Sequence, residues 1–238
     1  MARRRFFVDS VHSGRARLEG PEAHHLTRVL RVEPGQKYEI SDNQDVYLAE
    51  IESARKDLVS FAIVERLETP PPALHSILLA ALIKFERFEW MVEKATELGV
   101  ERIVPVEAER TEKGLARAAE KRLPRWMRIA REASEQSRRA RLPEVEAPMD
   151  LAEALKLAAD YRYVLEEEAT PPIMSHLPLE RRAQDRVAAL VGPEGGWTDR
   201  ERSVIAAAGW SPVSLGREIL RAETAAMAAL AILNAAWA

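Results

Sequence analysis

Three glycines fall within five residues of "LVGPEGGWTDRE", residues 190–201, and the same loop carries one carboxylate, Glu194. Glycine lets a ligand approach the main chain or permits φ > 0. Such a loop can hold a ligand through backbone amides and carbonyls; a tight turn without a ligand would need the same residues. A second loop of odd composition is "LGREILRAET", residues 215–224, with Gly216, Arg221, Glu223 and Thr224. Neither is a known phosphate cradle. The first lacks the Lys-Ser/Thr that closes a P-loop, and its spacing is not GxGxxG. The five histidines (12, 24, 25, 75 and 176) form no HExxH or other ligand spacing, so no metal is expected. There is no GxSxG elbow for a serine nucleophile. By elimination, the chemistry is that of backbone groups and a few side chains around a small ligand.

Something must position those loops. "RVAALVG" is a continuous apolar strand leading into the first loop, and "TDRERSVIAAAG" is a helix with Thr198 as cap, Glu201 three residues on and Gly209 as its stop. "SPVSLG" is a short strand leading into the second loop, and "AETAAMAALAILNAAW" is the last helix. Upstream, "HSILLAALI", "RIVPVEA" and "YRYVLEEEA" read as strands, "FERFEWMVEKATELGV" as a helix stopped at Gly99, and Pro124 to Arg139 as another helix. Buried strands alternating with helices predict a mostly parallel α/β sheet covered on both faces, with ligands outside the strands' carboxyl ends.

"ETPPPAL", residues 68–74, separates this half from the preceding one, because three consecutive prolines continue neither a helix nor a central strand. We place the domains at 1–70 and 73–238. Before the prolines, "KYEISD", "DVYLAEIES" and "DLVSFAIVERL" alternate as strands, "PEAHHLTRVLRV" has helical spacing, and Pro34-Gly35 suits a type II turn. Short strands with one helix predict a small β-barrel.

The 238-residue chain is 47% apolar and 31% charged, a globular composition. It has no cysteine, which excludes disulfides and thiolate chemistry and fits a reducing, cytoplasmic setting. "MARRRFFVDS" has only three apolar residues before Asp9, too few for a secretion signal, and the alanine-rich C-terminal tract is broken by Asn234, so no membrane span is expected. Net charge is only −3, yet 110–141 holds eleven Lys or Arg against four Glu, and 3–31 holds seven Arg against three acids. Two basic islands on a mildly acidic chain suit a phosphate-rich partner. On the helix Pro124–Arg139, Trp126, Ile129, Ala130 and Ala133 take one side; Arg125, Arg128, Arg131, Arg138 and Arg139 take the other. A solvated face would look the same, but arginine without lysine is what bidentate phosphate contact prefers. Arg outnumbers Lys 28 to 7, a weak sign of heat adaptation that GC-rich coding would also produce.

"LVGPEGGWTDRE" followed by "LGREILRAETAAMAAL" resembles the RsmE-type methyltransferases of the SPOUT superfamily, which methylate the ring N3 of a uridine in small-subunit ribosomal RNA. "HHLTRVLRVEPGQ", "KFERFEWMVEKATELGVERIVP" and "EASEQSRRARLPEV" look like the family's other signatures, in the right order and over nearly the whole chain. One departure is Phe85, where relatives often have glycine.

The resemblance implies an α/β SPOUT domain whose end is threaded into a trefoil knot, a PUA-like β-barrel that helps hold RNA, a homodimer, and S-adenosylmethionine as cofactor. It implies that the two loops wall the cofactor pocket, with Leu165, Gly192, Pro193, Gly195, Gly196, Leu215, Gly216, Ile219, Leu220 and Thr224 as its residues. Uracil N3 carries a hydrogen and is not nucleophilic until it leaves. We therefore expect Arg221 and Arg139 to hold the uracil oxygens, Gln136 to orient the base, and Glu223 or Glu194 to receive the proton. The expected RNA contacts are Arg3, Arg4, Arg28, Arg31, Lys84, Arg110, Arg125, Arg128, Arg138 and Arg141, with Arg5 beside the first two. Three rivals stand beside this reading: an RNA-binding assembly factor without catalysis, an enzyme for another adenine-bearing ligand, and the same chemistry on a different RNA.

Overall fold

The chain divides inside its proline run. In the computed structural model, which describes residues 5–112, 114–167 and 170–238, the first unit comprises Met1–Pro70 with Ser134–Leu142 and the second Pro71–Ala133 with Pro143–Ala238. The segment 134–142, read from sequence as part of the second domain, belongs to the first unit.

The first unit is built from β1 (Arg5–Phe7), β2 (Val11–His12), β3 (Arg15–Glu19), α1 (Gly20–Arg28), β4 (Lys37–Ser41), β5 (Val46–Arg55) and β6 (Leu58–Leu67). Its six strands form one sheet in the order β1-β4-β5-β6-β3-β2, parallel only between β1 and β4. Alternation puts Ile40, Ala49, Ile51, Val59 and Phe61 into a core that α1 completes with Ala23 and Leu26. Gly35 has φ +86° in the turn closed by Gln36 N donating to Glu33 O, as a type II turn requires.

The second unit contains β7 (His75–Ala81), α2 (Phe85–Glu97), β8 (Arg102–Glu107), α3 (Leu115–Ala119), α4 (Leu123–Gln136, its last three residues counted with the first unit), β9 (Glu144–Val145), β10 (Met149–Asp150), α5 (Leu151–Ala154), β11 (Tyr161–Leu165), β12 (Arg186–Val191), α6 (Asp199–Ala207), β13 (Ser211–Val213) and α7 (Ala222–Trp237). Every ladder is parallel, in the order β10-β8-β7-β12-β11-β13, with β9 also on β8. Side chains alternate between two cores: Leu78, Ala80, Val187, Ala189 and Val191 face the side covered by α2, α4 and α7, whereas Leu79, Ala81, Ala188 and Leu190 face α5 and α6. Burial on both faces is why β7 and β12 read as unbroken apolar runs.

Phe85 opens α2 and meets the buried Trp126 ring edge-on at 6.2 Å, while the Arg122 guanidinium lies 4.9 Å over its face. The side chain therefore extends the apolar contact between α2 and α4.

One expectation fails. The helix read as Pro124–Arg139 ends at Gln136, because Arg138 takes φ +57° and Arg139 N bonds back to Ser134 O at 2.9 Å. Arg138 and Arg139 therefore leave the arginine face, on which Arg125 and Arg128 remain exposed. Left-handed backbone costs a non-glycine residue about 1–2 kcal/mol, so tertiary contacts must hold it; they are described below.

At the other end of the second unit, the Trp237 indole donates to Asp185 Oδ2 at 2.9 Å, and Arg182 N donates to the same carboxylate. These donors, the Arg182 amide first, hold the Asp185 carboxyl below its usual range. A depressed folded pKa gives stability that is present above the unfolded value and lost as pH falls through the folded one. Asp185→Asn should therefore lower the melting temperature at neutral pH, and thermal melts should show the gap closing below about pH 4.

Candidate active site

β12, β11 and β13 are neighbours in the sheet, and their carboxyl ends open onto a single cleft of about 270 Å³ in the second unit. The loop after β12 supplies Gly192, Pro193, Glu194, Gly196 and Trp197; the loop after β13 supplies Leu215, Gly216, Glu218, Ile219, Leu220 and Arg221; β11 ends in Leu165, and Glu166 follows it.

The first loop is shaped by a turn in which Gly196 N donates to Pro193 O at 2.9 Å, with Gly196 at φ +66°. A Cβ on Gly192 would lie 3.0 Å from the Trp197 indole nitrogen. That glycine is needed so that Trp197 can fold back beneath the loop. Arg110, expected on RNA, donates from Nη1 to Gly195 O at 2.6 Å and so braces the loop from outside. Beyond the loop, Thr198 and Glu201 form a reciprocal capping box on α6, and the buried Glu201 also accepts from Glu109 N at 2.7 Å. The loop is thus fixed at both ends.

Three charge groupings line or border the cleft. Arg87 of α2 pairs with Glu194 and lies with Nε 3.8 Å from Glu223 Oε1. The other Glu223 oxygen, Oε2, is buried and accepts no hydrogen bond among the described residues. Arg202 of α6 lies with Nε 3.3 Å from Glu166, whose side chain is 9% exposed. Arg221 is the N-cap residue of α7, with ψ 150° and no side-chain cap bond, and its exposed side chain lines the cleft.

Of the residues expected from the sequence, Leu165, Gly192, Pro193, Gly196, Leu215, Gly216, Ile219, Leu220, Glu194 and Arg221 line this cleft. Gly195 packs on Arg110 instead, and Glu223 and Thr224 occupy the first turn of α7. Gln136 and Arg139 lie in the segment counted with the first unit. Sequence reasoning missed Arg87, Glu166, Glu167, Trp197, Arg202 and Glu218 in the lining. The carboxyl-end rule, applied to β11, would have found Glu166 and Glu167.

Among the expected RNA contacts, Arg3 and Arg4 lie outside the described residues. Arg28, Arg31, Lys84 and Arg141 are exposed. Arg125 hydrogen-bonds Glu89 at 2.7 Å, which raises its pKa, and Arg128 lies 3.4 Å from Glu132. Arg5 and Arg138 both pair with Glu39, a buried carboxylate of β4. Among the described residues no His/Asp/Glu group could hold a metal, and no helix is long and apolar enough to cross a membrane.

This architecture defines a class. Residues 70–234 match the family model "RNA methyltransferase domain", and residues 18–64 match "RNA methyltransferase PUA domain". A relative from Synechocystis, ribosomal RNA small subunit methyltransferase E, is 34% identical over 90% of this chain and 71% of its own length. A crystal structure of the same-named enzyme from Neisseria gonorrhoeae, bound to S-adenosyl methionine, superposes with TM-score 0.87 at 30% identity, covering 99% of this chain and 98% of that one. A structure from Legionella pneumophila, in complex with bound SAM, gives TM-score 0.89 at 30% identity over the same shares. The chain belongs to the RNA methyltransferase family, among the ribosomal RNA small subunit methyltransferase E enzymes.

Proposed function

We propose that the protein transfers a methyl group from S-adenosylmethionine to the ring N3 of a uridine in small-subunit ribosomal RNA. The observation that carries this reading is the cleft at the joined carboxyl ends of β11, β12 and β13, with glycines on two walls and Arg221 at its mouth. Its residues fit the cofactor. Ile219 lines the cleft yet is 74% exposed, an apolar surface suited to an adenine ring. Gly196 and Gly216 leave the backbone open, Gly192 makes room for Trp197 beneath the loop, and Glu166, Glu167 and Glu218 suit ribose hydroxyls and the cationic end of the ligand.

When bound, the cofactor supplies an electrophilic methyl group on a sulfonium. The chain must do the rest. Leu165, Leu215, Ile219 and Leu220 would hold the adenine, with Gly195 and Thr224 in support. Arg221 would face the uracil oxygens as charge develops, and Glu223 or Glu194 would take the N3 proton. Gln136 and Arg139 are proposed to act on the RNA, Gln136 by hydrogen bonds to the base. The base is presented outside a helix, since N3 lies on the Watson–Crick edge. RNA phosphates would meet Arg28, Arg31, Lys84, Arg110, Arg125, Arg128 and Arg141. A trefoil knot at the C-terminal end, a homodimer, a cytoplasmic setting, and either rRNA or an assembled subunit as substrate complete the proposal.

Titration calorimetry of S-adenosylmethionine tests it, with Gly196→Val beside the wild type. Valine at φ +66° strains the loop. Affinity on the order of micromolar is expected for the wild type, and its loss in the variant. Nucleoside mass spectrometry of treated small-subunit rRNA then identifies the methylated atom. No cofactor binding by the wild type, with or without RNA, would leave a noncatalytic RNA-binding protein.

A further inference from the structure

Strand β4 has both edges occupied. Residues Arg5–Phe7 pair with Glu39–Ser41 on one side, and residues of β5 pair with Lys37–Ser41 on the other. Its backbone has nothing left to offer a further strand. Yet the segment after α4 belongs to this unit, and it is held by side chains. Glu39 accepts from Arg138, and Arg5, which donates to Glu39 at 2.8 Å, also donates to the Arg138 carbonyl. Ser41 Oγ donates to the Ala140 carbonyl at 2.6 Å. Asn43 Oδ1 accepts from Leu142 N at 2.7 Å.

The register is the argument. Glu39 and Ser41, two residues apart on one side of β4, and Asn43 in the turn that follows grip 138, 140 and 142 in the same order, so every second residue of the segment is held. The grip uses a buried carboxylate, a fully buried serine and an asparagine at φ +67°. It also explains the left-handed Arg138, whose guanidinium and carbonyl are both engaged. Positions 139 and 141 alternate with the gripped ones. Arg141 is exposed, and Arg139 Nε donates to the Arg141 carbonyl at 3.0 Å.

We propose that Glu39, Ser41 and Asn43 are positioning residues, which present Arg139 and Arg141 as a preformed contact for the RNA phosphate backbone. Arg138 anchors that turn to the sheet. The inference deepens the proposed function and rests on its RNA-binding part.

Asn43→Gly is the clean probe, because glycine accepts positive φ and the change removes only the acceptor for Leu142 N. Fluorescence anisotropy would follow binding of a small-subunit rRNA fragment across a salt series. Asn43→Gly should weaken binding several-fold and flatten the dependence of log Kd on log salt, while cofactor affinity and melting temperature stay at wild-type values. Ser41→Ala should act in the same direction. In an Arg139→Ala/Arg141→Ala background, Asn43→Gly should have no further effect, as expected when one residue works through the others. An unchanged affinity in Asn43→Gly, or a loss that simply adds to that of the arginine variants, would overturn the positioning role. Wild-type protein that neither binds the fragment nor methylates rRNA would count against the proposed function instead.

Discussion

Glu223→Gln is expected to slow RNA methylation by about 10²- to 10⁴-fold, the range for loss of a positioned proton acceptor, with cofactor affinity unchanged. Uracil N3 must shed its hydrogen before it can attack, and two carboxylates were candidates. Glu194 is exposed, and one of its oxygens pairs with the Arg87 guanidinium. Glu223 differs. Its side chain is 12% exposed, Oε1 stands 3.8 Å from Arg87 Nε, and Oε2 is buried with no hydrogen-bond donor among the described residues. A buried carboxylate oxygen without a donor is costly, and such atoms ask for an explanation. Glu223 directly follows Ala222, which lines the cleft, so an acceptor role supplies one. Glutamine keeps the volume but not the proton affinity. The change at the α7 N-terminus removes a favourable dipole interaction of about 0.3–1 kcal/mol, far less than the expected kinetic loss. Single-turnover rates with saturating cofactor measure the effect, and Glu194→Gln is the companion variant. A collapse in Glu194→Gln with near-normal turnover in Glu223→Gln would reverse the assignment.

Arg87 shows what a linear reading leaves hidden. It contacts Glu194 across 107 residues of sequence, from a helix whose pattern announces only an apolar face. Nothing in "FERFEW" marks Arg87 off from the neighbouring surface charges. The glycine loops were legible for the opposite reason, since their constraints are local. Gly196 needs positive φ, and Thr198 and Glu201 cap a helix three residues apart. The buried strands β7 and β12 were equally plain, as unbroken apolar runs. The two-residue strands β9 and β10 are too short for any period to appear. The end of α4 was misread because "SEQSRRAR" contains neither glycine nor proline. What stops the helix is the partnership of Arg138 with Arg5 and Glu39, residues 133 and 99 positions away. The grouping of 134–142 with the first unit has the same cause: a side-chain grip leaves no trace in hydropathy.

Arg221→Ala is expected to reduce turnover by about 10²- to 10³-fold, the loss seen when one preorganised donor to a developing anion is removed. Once N3 gives up its proton, negative charge spreads onto the two flanking uracil oxygens, and it is largest before the methyl group has transferred. A cation there stabilises the transition state more than the bound, neutral base, so the effect belongs in kcat. Arg221 has the required freedom. It precedes α7 in extended conformation, makes no side-chain cap bond, and forms no ion pair among the described residues, although Glu223, two residues on, lies beside Arg87. The first loop does not depend on it, since Arg110 braces Gly195 and the capping box holds Thr198. Alanine should therefore leave cofactor affinity and melting temperature near wild type. Arg221→Lys should recover part of the loss, since it restores charge without the planar fork that can meet an oxygen with two N–H groups. If alanine instead raises the KM for RNA and leaves kcat intact, Arg221 is a phosphate contact, and charge stabilisation at the base must come from elsewhere.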